Sequence, residues 1–126
     1  MQNIEPINEY IIKLASNRIP IFRCTISLDE YDAIRLGYDS KEKWKELFVS
    51  KLVSFAKKMN IKYEDLQYAG AVHLESGHPH LQVMMWSKQK EKMNYFIKYN
   101  LINRMKDEFT NSIFKEDLLR LYQEKL

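Results

Sequence analysis

The feature that most constrains the fold is a pair of short apolar runs separated by a polar turn. Residues 66–74 and 80–87 have the composition of strands, and the turn between them contains Gly77 and Pro79. Two such runs joined by a short turn with Gly and Pro predict an antiparallel β-hairpin. The chain must therefore fold around at least one pair of antiparallel strands near its middle.

Composition indicates one folded domain over residues 1–126. Hydrophobic residues make up 45% and charged residues 29%, with 3 Gly and 3 Pro, which is typical of a globular chain of this length. The longest stretch without Lys, Arg, Asp or Glu is 76–87, too short for a membrane span, and no signal peptide is visible. The single Cys24 excludes an intrachain disulfide. We therefore expect no membrane partner and a cytoplasmic location.

The rest of the chain predicts one more strand and several helices. A Ser-x-x-Glu capping box at Ser27 predicts a helix start, and Gly37 ends that helix. Apolar residues keep a helical period over residues 41–59. The predicted elements are a helix at 7–15, a strand at 21–26, and helices at 27–37, 41–59, 89–109 and 112–126. Strands in the middle with helices on either side predict an α+β fold, an antiparallel sheet flanked by α-helices.

The hairpin carries a candidate metal site. All three histidines, His73, His78 and His80, fall within eight residues. If the loop sets His73 opposite His80, then Ala71 lies opposite Gln82, and opposed residues of an antiparallel pair share a face. Two imidazoles and one carboxamide oxygen would then converge, with small neighbours that leave room for a substrate. We predict metal ligands at His73, His80 and Gln82.

A structural role for these histidines is the alternative. A single His on a half-buried strand is more often packed and hydrogen-bonded than a ligand. Three of them around one tight turn favour a site. His78 remains open, either as an exposed turn residue or as a ligand. We expect Met84, Met85 and Trp86 to belong to the sheet core.

The string 71–87, AVHLESGHPHLQVMMWS, resembles the metal-binding hairpin of HUH endonucleases. Within that superfamily it is most similar to plasmid and conjugative-element relaxases of the MobL (MobP) type. The likeness extends upstream to Phe22–Leu28, Asp32-Ala33, Leu36–Asp39 and Trp44, and downstream to Ile113-Phe114 and Leu118–Lys125. It covers residues 19–125, and the hairpin is its only specific motif.

The resemblance implies a divalent-metal site in which His73 and His80 match family ligands. Gln82 stands where the second histidine of the HUH pair would be, although viral replication initiators of the superfamily also carry His-hydrophobic-Gln. A neutral oxygen donor in place of an imidazole favours harder ions, so we expect Mg²⁺ or Mn²⁺. In the family, such an ion polarises the scissile phosphate of single-stranded DNA while a tyrosine hydroxyl attacks it.

The nucleophile is the part that the resemblance leaves open. The family's N-terminal tyrosine-bearing segment is expected to be missing, because the surroundings of Tyr10 do not resemble it. Replication initiators instead place Tyr-x-x-Lys on a helix after the hairpin, and Tyr122 has that spacing, as does Tyr95. Tyr122 is our candidate nucleophile, although its place in an apolar stripe favours core packing.

Three lysines after the second strand are candidate phosphate contacts, with a solvated helix face as the alternative: Lys88, Lys90 and Lys92.

We therefore predict a relaxase-like domain for plasmid mobilisation or conjugative transfer. It would nick single-stranded DNA at an origin through a phosphotyrosine intermediate, with other relaxosome proteins as partners. The net charge of +3 is compatible with a DNA partner. The alternatives are a non-catalytic fragment or degenerate relative that binds DNA or a partner, a rolling-circle replication initiator, and a small module with structural histidines. Whether the chain is an enzyme stays open.

Overall fold

The computed structural model describes residues 21–75, 77–89 and 99–124. These residues form the predicted α+β fold, with a three-stranded antiparallel sheet and four α-helices. A single 3₁₀ turn, Tyr63–Asp65, precedes the second strand. The elements are β1 (Phe22–Ser27), α1 (Glu30–Leu36), α2 (Lys41–Lys58), β2 (Leu66–His73), β3 (His80–Ser87), α3 (Tyr99–Ile113) and α4 (Lys115–Glu124).

The sheet has the order β1-β3-β2, so that β3 pairs with a strand on each side. The predicted hairpin is confirmed as β2 and β3, which pair antiparallel from Leu66 opposite Ser87 to His73 opposite His80. β1 pairs antiparallel with the other edge of β3, from Phe22 opposite Met85 to Ser27 opposite His80. The central strand therefore begins at a residue that has a partner on both sides.

Alternation along the strands divides the sheet into a core face and an opposite face. On β1, Phe22, Cys24 and Ile26 are buried while the residues between them are exposed. On β3 the matching core residues Leu81, Val83 and Met85 are almost fully buried. Because successive side chains of a strand point to opposite faces, the histidine positions fall on the other face.

The helical layer covers the core face. The Phe55 ring of α2 meets the Phe109 ring of α3 edge to face, with centroids 5.1 Å apart, and both side chains are completely buried. Lys58 and Glu108 join the same two helices through an ion pair of 3.1 Å. Burial of one such aromatic side chain contributes about 1.5–3 kcal/mol to the free energy of unfolding. α2 and α3 thus form a layer that packs against the core face of the sheet.

The most regular helix, α2, ends within one residue of its predicted bounds. The Ser40 hydroxyl accepts a hydrogen bond from the Lys43 N–H (3.2 Å) and caps the first turn. Trp44, near the start of the helix, is fully buried and donates its indole N–H to the Tyr38 carbonyl (2.7 Å). This bond satisfies the one polar group that burial of the indole would otherwise leave without a partner.

The predicted capping box at Ser27 is wrong. Ser27 is the last residue of β1, and α1 begins only at Glu30. The cap is Asp29, whose side chain accepts from the Asp32 N–H (2.8 Å). Pairing with β3 continues the strand through Ser27, and the Leu28 N–H donates to the Pro79 carbonyl (2.9 Å), so the residue directly before the helix is Asp29. The other end was predicted correctly, since Gly37 closes the helix at φ +85°, a left-handed conformation that favours glycine.

The boundary between the last two helices was also predicted wrongly. α3 continues to Ile113, and α4 begins at Lys115 rather than at residue 112. Phe114 lies between them, and its N–H still donates to the Thr110 carbonyl (3.0 Å), so helical bonding runs almost through the junction. The early part of the predicted helix 89–109 and the whole of the predicted helix 7–15 lie outside the described residues.

The expected core role of the α4 stripe is wrong as well. No residue of α4 is buried, and Tyr122 is 69% exposed. α4 is connected to α1 by a bidentate ion pair in which Arg35 donates to both carboxylate oxygens of Asp117 (3.0 and 2.9 Å). A helical period in the sequence shows which side is apolar, but not whether a neighbour covers it.

In the part of the chain that the structure describes, no helix is both long enough and apolar enough to cross a membrane.

Candidate metal centre and its family

Two histidines stand opposite each other at one end of the sheet. His73 is the last residue of β2 and His80 the first of β3, and the register pairs them directly. This is the register on which the sequence argument depended, and Ala71 accordingly lies opposite Gln82. The short loop and the strand alternation together place both imidazoles on the face opposite the helices.

The two rings are close and nearly parallel. Their centroids are 4.7 Å apart and their planes differ by 19°. Two imidazoles bound to one ion at about 2.0–2.1 Å, with roughly a right angle between the bonds, have centroids roughly 4.5 Å apart. The centroid separation of His73 and His80 matches that of two ligands on one ion, but stacked rings cannot both hold an ion in their ring planes. One of the two imidazoles would therefore have to rotate for a cation to bind both. Both side chains are half-buried, so solvent or a substrate can reach them.

The backbone of the loop determines which nitrogen of His80 carries a proton. The Nδ1 atom of His80 lies 3.0 Å from the carbonyl oxygen of His78. A carbonyl oxygen only accepts, so Nδ1 is the donor, and in the neutral ring Nε2 keeps its lone pair. A histidine ligand that donates its other ring N–H to a backbone carbonyl is oriented in this way in many metal sites.

The third predicted ligand lies one step further along β3. Gln82 shares the face of His80 and is half-buried. Its neighbour across the pair is Ala71, which has a small side chain. Further along the face, Met84 is half-buried and Trp86 is buried, as predicted for sheet residues. Met85 is buried on the core face.

The donor set is small. Among the described residues no group of three or more His, Cys, Asp or Glu side chains lies close enough to hold a metal ion. A cation at this place would be held by two imidazole nitrogens and the Gln82 carboxamide oxygen, with the remaining positions open to water or substrate. A site with an oxygen ligand and open positions suits Mg²⁺ or Mn²⁺ better than a closed structural site would.

Comparison with known protein families identifies the chain. Residues 5–120 match the family model of MobL relaxases. The chain belongs to the MobL relaxase family. This confirms the resemblance based on the hairpin, and the match begins nearer the N-terminus than residue 19, where we had placed it. Searches of curated proteins and of solved structures gave no significant match.

Family membership shows the general function of the chain. A MobL relaxase is a plasmid mobilisation protein, and a relaxase has DNA as its partner. The metal, the nicking reaction and the residues that perform it do not follow from the match. Those finer assignments depend on the chemistry of the site.

The structure does not place the candidate nucleophile with the histidines. Tyr122 of this MobL chain is on α4, which is connected to α1 through Asp117, whereas the histidines are on the sheet. Tyr122 is exposed, and it lies just beyond the residues that match the family model. Tyr10 is within the matched range but outside the described residues, as is Tyr95.

The other predicted contacts are described only in part. His78 is exposed in the loop, and its carbonyl is the group that orients His80. Lys88 is exposed directly after β3, and its backbone N–H donates to the Asp65 carbonyl (2.8 Å). Its side chain is available to solvent. Lys90 and Lys92 lie outside the described residues.

Sequence reasoning missed the third strand of the site. β1 adds a row of polar side chains to the histidine face, because Ser27 lies opposite His80 and Thr25 opposite Gln82. Arg23 follows on the same face, opposite Met84. The alternation of β1 was visible in the sequence, but the strand with which it pairs was not.

Proposed function

We propose that this MobL chain is a metal-dependent relaxase domain that cleaves single-stranded DNA at a mobilisation origin. The observation that carries the proposal is the direct pairing of His73 with His80, with ring centroids 4.7 Å apart. Family membership supports the DNA partner. His73, His80 and Gln82 would hold the cation, which supplies neutralisation and polarisation of the scissile phosphate when bound.

The residues of the chain account for several requirements of this reaction. The His78 carbonyl orients His80 so that one ring nitrogen faces away from the loop. Ala71, opposite Gln82, has a small side chain, which favours the approach of a phosphate group. The half-buried position of both histidines allows a single strand to reach them, whereas a base-paired duplex is bulkier.

The chemical step we propose is transesterification by a tyrosine. The tyrosine oxygen forms a bond to phosphorus and the bond from phosphorus to the 3′ oxygen breaks. The tyrosine proton passes to solvent or a nearby base, and the departing 3′ oxygen takes up a proton. The products are a 5′-phosphotyrosyl linkage and a free 3′-OH. Tyr122 is the candidate that the structure describes. It is exposed, but it lies on α4 and not beside the histidines, so the reaction would require the scissile phosphate and Tyr122 to be brought together.

A second function is favoured by one specific observation. Gln82 offers a neutral oxygen in place of a third imidazole, which weakens the site. A chain with such a site could bind origin DNA or a relaxosome partner without cleaving. A replication initiator would share the chemistry of the first proposal but cleave at a different origin.

Covalent adduct formation separates these functions. Single-stranded oligonucleotides tiled across the DNA next to the gene, labelled at the 3′ end, are incubated with the purified chain and Mn²⁺. We expect an SDS-stable adduct that retains the 3′ label, is abolished by EDTA and is lost in His80→Ala. Loss in Tyr122→Phe but not in Tyr10→Phe assigns the nucleophile to Tyr122, and the reverse pattern overturns that assignment. DNA binding without an adduct in Mn²⁺ or Mg²⁺ would overturn catalysis and leave the binding function.

A further inference from the structure

The exposed side of β1 is the feature that the candidate metal centre does not use. Its three outward residues, defined as the donor row, are Arg23, Thr25 and Ser27. All three are exposed, whereas Met84 beside Arg23 is half-buried. The donor row is therefore the part of this face that is most open to a ligand.

The chemistry of the donor row is that of a phosphate contact. A guanidinium and two hydroxyl groups all donate hydrogen bonds, and these groups supply most contacts to nucleic-acid backbones. Successive members are about 6.6 Å apart along the strand. No Asp or Glu is among the described residues of this sheet face, which makes the face suitable for an anion.

Arg23 differs from Arg35 in its surroundings. Arg35 is held by Asp32 and Asp117, which use its guanidinium within the fold. Arg23 forms no ion pair with any carboxylate that the structure describes. An arginine that stabilises nothing within the described fold retains its bidentate donors for a partner.

The register places Arg23 at a defined distance from the histidines. Arg23 pairs with Met84, which is four residues from His80 along β3. At about 3.3 Å per residue this separation is about 13 Å, longer than one phosphate group and short enough for neighbouring nucleotides of the same strand. Ser27 and Thr25 fill the interval on the way to the histidines.

We propose that the donor row is the backbone-phosphate track of the DNA strand, with Arg23 holding a phosphate one or a few nucleotides from the one at the histidines. The proposal rests on the proposed function, because it assumes that the scissile phosphate of the DNA lies at the His73 and His80 site. It adds the path of the DNA strand over the surface, which runs along β1 rather than across the hairpin loop. The alternative is a solvated arginine that discourages edge pairing of β1.

Salt dependence of DNA binding tests the track without any cleavage. Fluorescein-labelled oligo(dT) is titrated with the full chain in EDTA at several NaCl concentrations. We expect Arg23→Gln to weaken binding and to reduce the slope of log K against log[salt] by about 0.7, the value for one phosphate contact on a single strand. Arg23→Lys should keep the slope. Arg104→Gln, an equal charge change at an exposed position on α3, should leave it unchanged.

The outcomes separate this inference from the proposed function. His80→Ala should lose Mn²⁺ binding but keep the salt slope, so failure of the metal site is detected independently. Equal slopes for Arg23→Gln and Arg104→Gln would overturn the track, as would no binding of oligo(dT) by the unaltered chain. Urea unfolding midpoints of both variants, expected to be unchanged, verify that the exposed substitutions leave the fold intact.

Discussion

His73 and His80 face each other across the end of the hairpin, one closing β2 and the other opening β3. Their ring centroids are 4.7 Å apart, and the loop carbonyl of His78 orients the second ring. The opposition of the two histidines depends on the strand register, because a shift of one residue would turn one histidine to the core face.

Gln82 should contribute to ion choice as well as to affinity. Gln82→His replaces an oxygen donor with an imidazole, so we expect affinity for Ni²⁺ or Zn²⁺ to rise about tenfold or more while affinity for Mg²⁺ changes little. Gln82→Ala should weaken Mn²⁺ binding. Gln67→Ala is the matched control, since Gln67 lies on the same face opposite Trp86, away from the histidines. Calorimetric titration measures all three, and equal Mn²⁺ affinity in Gln82→Ala and the control would remove Gln82 from the site.

Gly77 should be sensitive to substitution for conformational reasons. Its φ is +73°, and a Cβ added there meets nothing within 4 Å, so backbone strain is the only cost. We expect Gly77→Ala to lower the free energy of unfolding by about 1 kcal/mol. Gly37→Ala, at φ +85° with the same open surroundings, should cost a similar amount. Only Gly77→Ala should also weaken Mn²⁺ binding, because its loop joins the two histidines; an unchanged Mn²⁺ affinity would contradict this role of the loop.

The ion pair between Arg35 and Asp117 should make the attachment of α4 depend on pH. The hydrogen bonds from Arg35 hold the pKa of Asp117 below its ordinary value of 3.8. A lowered carboxyl pKa stabilises the fold above the unfolded-state pKa, and this contribution is lost as the pH falls through the folded-state pKa. Asp117→Asn should therefore destabilise the chain slightly at neutral pH. The destabilisation should be smaller at a pH well under 3.8. Urea unfolding at both pH values measures the difference in the free energy of unfolding between the variant and the unaltered chain. A difference independent of pH would contradict a role of the ion pair in attaching α4.

Cys24 should report on opening of the sheet. Burial raises the pKa of its thiol, an effect that Lys106 opposes, so the reactive thiolate is scarce in the folded chain. We expect a disulfide reagent at mildly alkaline pH to label the native chain far more slowly than the chain in urea. Cys24→Ser should give no signal in either condition. Equal labelling rates with and without urea would show that the Cys24 thiol is not buried in the core as described.

The hairpin was the part of the structure that the sequence predicted best. β3 runs from His80 to Ser87 as predicted, because its alternation and the Gly- and Pro-containing turn are both local signals. The opposition of His73 and His80 followed from the same short turn, since a tight loop leaves few registers.

Features that depend on contacts between distant parts of the chain could not be predicted from the sequence. The pairing of β1 with β3 brings Ser27 to His80 across more than fifty positions of sequence, and no local pattern specifies it. The same pairing explains why the capping box at Ser27 failed. The exposure of Tyr122 likewise depends on what packs beside α4, which the helical period does not specify.

Titration with Mn²⁺ tests the central claim most directly. Calorimetry on the unaltered chain should show one ion bound, and His73→Ala and His80→Ala should each lose at least about tenfold in affinity. His78→Ala is the matched control, because the substitution keeps the backbone carbonyl that orients His80 and should keep the affinity. Circular dichroism of each variant verifies that the sheet is intact. If folded His80→Ala takes up Mn²⁺ as the unaltered chain does, the two histidines are structural and the proposed metal centre does not exist.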